Sequence, residues 1–212
     1  MDYGDDPLPE WGPMVLAYAS PRLEAPLGNL LRFDGKLSRL VAGVSEPTLG
    51  QVRLAWWRNE LSRDRQDGNA SVVDPLLSSL LATWNGYEQA LVAMVDAWEE
   101  LLTERPWSEG VSERFQAGHA KAFAALSGFA DGNENGLALA SHGSEWARAK
   151  FALLSDGLAI PGRDDLPRLP RDFRAVAMIG GLSRRALDRG GKPLFGDRFS
   201  PLAALRLGIF GI

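Results

Sequence analysis

The 212-residue chain contains no cysteine. Disulfides, zinc–thiolate centres, iron–sulfur clusters and thiol catalysis are therefore excluded, and the absence fits a reducing compartment. Only two histidines occur, His119 and His142. No apolar run reaches the roughly 18 residues of a membrane-spanning helix. A basic surplus is also missing: the net charge is −4 and the isoelectric point is near 5.3. Sequence-independent nucleic-acid binding normally needs such a surplus, so no nucleic-acid partner is expected. The start, Met1 to Asp6, is acidic and lacks the basic and apolar regions of a secretory signal. The expectation is a cytoplasmic protein, with peripheral membrane contact through the apolar stretch Leu202–Ile212 as the one route to a bilayer.

What is present is helical periodicity. Hydrophobic residues make up 45% of the chain, enough for a single packed core. Residues 1–12 read as a mobile lead-in, followed by one helical domain over 13–212. Helices are expected near Met14–Tyr18, Leu23–Val41, Thr48–Arg63 and from a cap at Asp74 to Leu81. Further helices are expected along the stripe Tyr87, Leu91, Val95, Trp98 and Leu102, near Ser112–Phe129, Leu137–Leu154 and Asp172–Asp188, and after Pro201. Pro47 stands where a first helical turn tolerates a missing N–H.

Several residues stand out against this background. Asp34 shares a helix face with Leu27, Leu30, Leu37 and Val41, and an acid on an apolar stripe needs a partner. Arg39 and Arg53 are the arginines considered for that role. Trp56 and Trp57 diverge by about 100° on a helix, so one should enter the core and the other lie on its flank. His119 and His142 each lie on apolar stripes and read first as satisfied core residues. Asp96, Glu99 and Glu100 read as a solvated acidic face. Arg184 and Arg185 form a basic spot of the kind a helix C-terminus attracts.

The segment Glu46-Pro47-x-Leu49-Gly50-Gln51-x-Arg53-Leu54-x-Trp56-Trp57 resembles a block of bacterial squalene/phytoene synthases. The stretch from Leu169-Pro170-Arg171-Asp172-Phe173-Arg174 to Leu182-Ser183-Arg184-Arg185-Ala186-Leu187 is similar to the tail of those proteins. The resemblance implies an all-α, single-domain bundle of the isoprenoid (terpenoid) synthase type, truncated relative to full-length members. Those enzymes condense prenyl diphosphates head to head, holding the diphosphate through Mg²⁺ on two Asp-rich motifs. Hard oxygen ligands at i, i+4 spacing supply that metal. Here Ala42 and Gly43 stand where the first two aspartates would, and only Glu46 remains. In the second motif Ala149, Lys150, Phe151 and Ala152 occupy the ligand positions, with Asp156 beyond them.

The resemblance thus leads to a non-catalytic member that binds a partner protein or an isoprenoid or lipid and needs no cofactor. One branch of the family acts in respiratory complex I assembly and also lacks intact Asp-rich motifs. The alternative is an active prenyl-diphosphate transferase with an atypical Mg²⁺ site built from Asp34, Glu46, Glu145 and Asp156. Ligand-binding candidates are Arg39, Arg53, Trp56, Trp57, His142 and Trp146.

Overall fold

The computed structural model describes residues 6–44, 46–63, 74–130, 133–155 and 165–194. Among these residues the fold is all-helical and has no strand. The helices are α1 (Gly12–Leu16), α2 (Pro21–Ala42), α3 (Pro47–Ser62), α4 (Pro75–Thr83), α5 (Glu88–Glu100), α6 (Glu109–Ala125), α7 (Gly136–Leu154) and α8 (Arg174–Asp188). The expected elements are found within a few residues of their bounds. The helix expected after Pro201, and the stretch Leu202–Ile212, lie outside the described residues.

The starts follow from local chemistry. Pro21, Pro47 and Pro75 each open a helix from an extended preceding residue, where the absent proline N–H breaks no intrahelical bond. The Asp74 carboxylate accepts from the Leu76 and Leu77 amides at 2.9 and 3.0 Å, capping α4 as its position suggests. Ser108 accepts from the Val111 amide at the start of α6.

α6 lies between α5 and α7, and α7 between α6 and α8. Glycines set these spacings. A Cβ on Gly118 would overlap the Ala93 carbonyl oxygen of α5, and one on Gly143 would meet the Phe123 ring at 2.6 Å and the His119 carbonyl at 2.8 Å. A Cβ on Gly180 of α8 would overlap His142 Nδ1 on α7. α2 packs against α1, α3, α4 and α5. Trp84 is buried and its indole donates to the Pro26 carbonyl at 3.1 Å, tying the end of α4 to α2.

Within the expected lead-in, residues 6–11 make defined contacts with the helices. Asp6 is buried and pairs with Lys36 at 3.0 Å and Arg39 at 2.6 Å, both on α2. Leu8 and Trp11 pack on the core, and Trp11 meets Trp146 edge-on with ring centroids 6.3 Å apart. Apolar contact and paired charge hold a segment with no helical propensity of its own. Among the described residues no helix is long and apolar enough to cross a membrane.

Candidate functional site

A cavity of about 420 Å³ opens between α2, α7, residues 7–11 and residues 192–194. Its apolar walls include Trp11, Leu31, Trp146, Leu153 and Leu194, and its polar lining includes Asp34, Ser38, Arg39, Lys150 and Lys192. Asp34 marks the floor. It is 2% exposed, and each of three neighbouring helices sends one donor to it. The Trp98 indole of α5 donates to Oδ1 at 3.0 Å. His119 Nε2 of α6 meets the same oxygen at 3.0 Å, while its Nδ1 meets the Phe115 carbonyl at 2.9 Å. Lys150 of α7 pairs with Oδ2.

Burial alone would raise the Asp34 pKa. The Lys150 ammonium, together with the hydrogen bond and charge of His119, outweighs that cost and brings it from 3.8 to about 2. Lys150 is held in turn by aromatic faces: its ammonium lies 4.5 Å from the Trp146 ring centroid and 5.3 Å from that of Trp98. The acid on the apolar stripe therefore does have a structural partner, but it is a lysine 116 positions away and neither arginine considered for it. Arg39 turns to Asp6, and Arg53 is exposed on α3. By its position in the sequence, Lys150 stands only where a carboxylate is missing. The signal that would have found it is a cation on the Trp146/Leu153 face of α7, opposite in sign to the lone acid on the buried face of α2.

The other candidates separate. Glu145 is buried in a second network, paired with Arg184 of α8 and 2.6 Å from Arg148. The basic spot at Arg184 is thus partly consumed by an internal acid. Glu46 is exposed ahead of α3, and Asp156 lies outside the described residues. Asp34 and Glu145 are thus each engaged by their own cations and do not form one ligand set. Among the described residues there is no group of three or more metal-ligating side chains. Among the described residues the donor set does not fit a Mg²⁺ cluster: both Asp34 oxygens are engaged by donors, Glu145 lies between two guanidinium groups, and Ala42 and Gly43 offer no side-chain oxygen.

His142 is buried. Its Nε2 donates to the Pro167 carbonyl at 2.9 Å, which fastens residues 165–170 to α7. Its Nδ1 lies against Gly180 with no hydrogen-bond partner. Burial lowers its pKa below 6.5 and Arg184 acts in the same direction, while the bond to Pro167 and the charge of Glu145 oppose them. Trp57 is buried against Phe33 at 5.1 Å, whereas Trp56 is 45% exposed, as their 100° divergence requires. Trp56 and Trp57 both lie on α3 and neither lines the cavity; Trp146 does. The acidic face is not simply solvated. Arg58 of α3 pairs with Asp96 at 2.6 Å and with Glu99, and Arg114 of α6 pairs with Glu100 at 2.9 Å.

Comparison with protein-family models, with curated proteins and with solved structures finds no match to this chain.

Proposed function

We propose that the chain is a squalene/phytoene synthase-like helical protein that binds an isoprenoid or lipid without turning it over. The observation that carries this reading is the state of Asp34. The Asp34 carboxylate on the floor of the cavity already has an ammonium, an imidazole and an indole as partners, and the other acid of the lining, Glu10, is exposed on the N-terminal segment. A Mg²⁺ ion recruited there would have to displace Lys150 from both the carboxylate and the Trp146 face. The transferase alternative needs hard oxygen ligands that can converge on a diphosphate, and these residues do not offer them. What the cavity does offer is a wall of tryptophan and leucine with a few polar groups among them, the composition of a site for a mostly apolar molecule.

A partner protein is the other form of the same scaffold role. It is favoured by the row Leu49, Val52 and Trp56, which α3 leaves exposed at i, i+3 and i+7 spacing.

The test uses the full chain with farnesol and, separately, with farnesyl diphosphate and Mg²⁺. Farnesol should quench tryptophan fluorescence saturably, because Trp11 and Trp146 line the cavity. Gly35→Leu should abolish the quenching. Gly35 faces the cavity, and a Cβ there has only an ordinary contact at 3.4 Å with Arg39 Nη1, so the larger side chain can be accommodated. No diphosphate should be released. Mg²⁺-dependent release that disappears in Asp34→Ala would overturn the proposal in favour of the transferase.

A further inference from the structure

A second pocket, of about 310 Å³, lies on the other side of Ser38 from the cavity. It is bounded by the end of α2, Val44, Pro47, the end of α5 and the loop that follows, and Leu154 of α7. Apolar side chains make up most of its wall, among them Val41, Trp98, Leu102 and Trp107. Two side chains break that pattern: the Ser38 hydroxyl and the Arg105 guanidinium.

Arg105 is exposed at the mouth, and its guanidinium lies 4.2 Å from the centroid of the Trp107 ring. Trp107 is itself fixed. Its indole donates to the Thr103 carbonyl at 3.2 Å, and its ring packs on Phe151 at 5.4 Å. The cation is therefore positioned by a ring that the core holds in place. Among the described residues no carboxylate lies within ion-pairing distance of Arg105. This contrasts with Arg58, Arg114, Arg148 and Arg184, each of which is paired with an acid.

We infer that this pocket is a binding site for a small amphiphilic monocarboxylate, its carboxylate on Arg105 and its apolar body against Trp98 and Leu102. A single guanidinium matches a single carboxylate in charge and in fork geometry. The volume corresponds to about ten non-hydrogen atoms at the roughly 30 Å³ that a water molecule occupies in the liquid. That is the scale of a medium-length fatty acid. The site needs no metal and does not depend on the cavity floored by Asp34.

The test is titration of the full chain with decanoate, followed by tryptophan fluorescence and calorimetry, with decyltrimethylammonium as the matched cation. Decanoate should bind saturably and the ammonium should not. Arg105→Gln should weaken decanoate roughly tenfold, the size expected for one charge-assisted contact at a partly wet mouth. Ala42→Trp should abolish binding by filling the pocket from an exposed position at the end of α2. Both variants should keep the wild-type circular dichroism and melting temperature, since neither residue is buried. Gly35→Leu, which closes the cavity instead, should leave decanoate unaffected, so the two sites fail separately. Absence of saturable decanoate binding, equal affinity for the ammonium, or unchanged affinity in Arg105→Gln overturns the inference.

Discussion

Replacing Lys150 by methionine keeps most of the apolar stem of the side chain and removes its charge. In the wild type, Asp34 has a pKa of about 2 in the fold against 3.8 in the unfolded chain. Each tenfold in proton affinity corresponds to about 1.4 kcal/mol, so the difference is about 2–3 kcal/mol of stability at neutral pH. The folded pKa is the lower one. The contribution is therefore complete above pH 3.8 and is lost as the pH falls towards about 2. In Lys150→Met the largest favourable charge is gone, and burial, already the largest single influence, is no longer outweighed. The Asp34 pKa should then rise above its unfolded value, and the sign of the dependence should reverse. The variant should lose about 3 kcal/mol at pH 7, the scale for leaving one member of a buried pair uncompensated. It should recover part of that loss as acid protonates the carboxylate. Asp34→Asn should cost less, because the freed ammonium is 19% exposed towards the cavity and can take up water. Urea denaturation followed by circular dichroism between pH 7 and pH 3 measures all three proteins. The difference in stability between wild type and Lys150→Met should shrink as the pH falls. A difference that stays constant or grows would refute the electrostatic account of the cavity floor.

Other substitutions probe the packing around that floor. Trp57→Ala should destabilise by about 3–5 kcal/mol in a urea titration, since the ring is buried, whereas Trp56→Ala, at 45% exposure, should cost under about half as much. Gly118→Ala should cost about 2 kcal/mol or more and lower the melting temperature, because the new methyl meets the Ala93 backbone, which cannot swing aside as a side chain can. His142 has a folded pKa below 6.5, so the unfolded chain binds the extra proton first, and this residue should make the protein less stable as the pH falls below 6.5. His142→Gln should remove that part of the slope between pH 7 and pH 5 in the same denaturation series, and an unchanged slope would show that His142 does not supply it.

The helices were legible because their starts and stripes are local. Pro47 and Asp74 mark helix starts within a residue or two, and Leu27, Leu30 and Leu37 identify the inner face of α2. The anomaly at Asp34 was legible for the same reason, as a charge on an apolar face. Its partners were not. Trp98, His119 and Lys150 are 64, 85 and 116 positions away, and helical spacing carries no information across such separations. Arg39 and Arg53 are nearer to Asp34 in sequence, and neither reaches it in the fold. A lysine pressed between two tryptophans looked instead like a gap in a metal-binding motif. The anchoring of Asp6 was hidden likewise, since its partners Lys36 and Arg39 are 30 and 33 positions along the chain.

The cavity's boundaries are fastened in unlike ways. The helix behind it, α7, packs closely on α6 and α8, with Gly143 against Phe123 and the His119 carbonyl and Gly180 of α8 against the His142 ring. The opposite rim, residues 6–11, is held by two ion pairs from Asp6 and by the side chains of Leu8 and Trp11. Local opening follows the lower free-energy route, so hydrogen exchange of residues 6–11 should be faster than that of α6 and α7. The exchange kinetics of anything held in the cavity would report on Asp6, a residue that does not line the cavity.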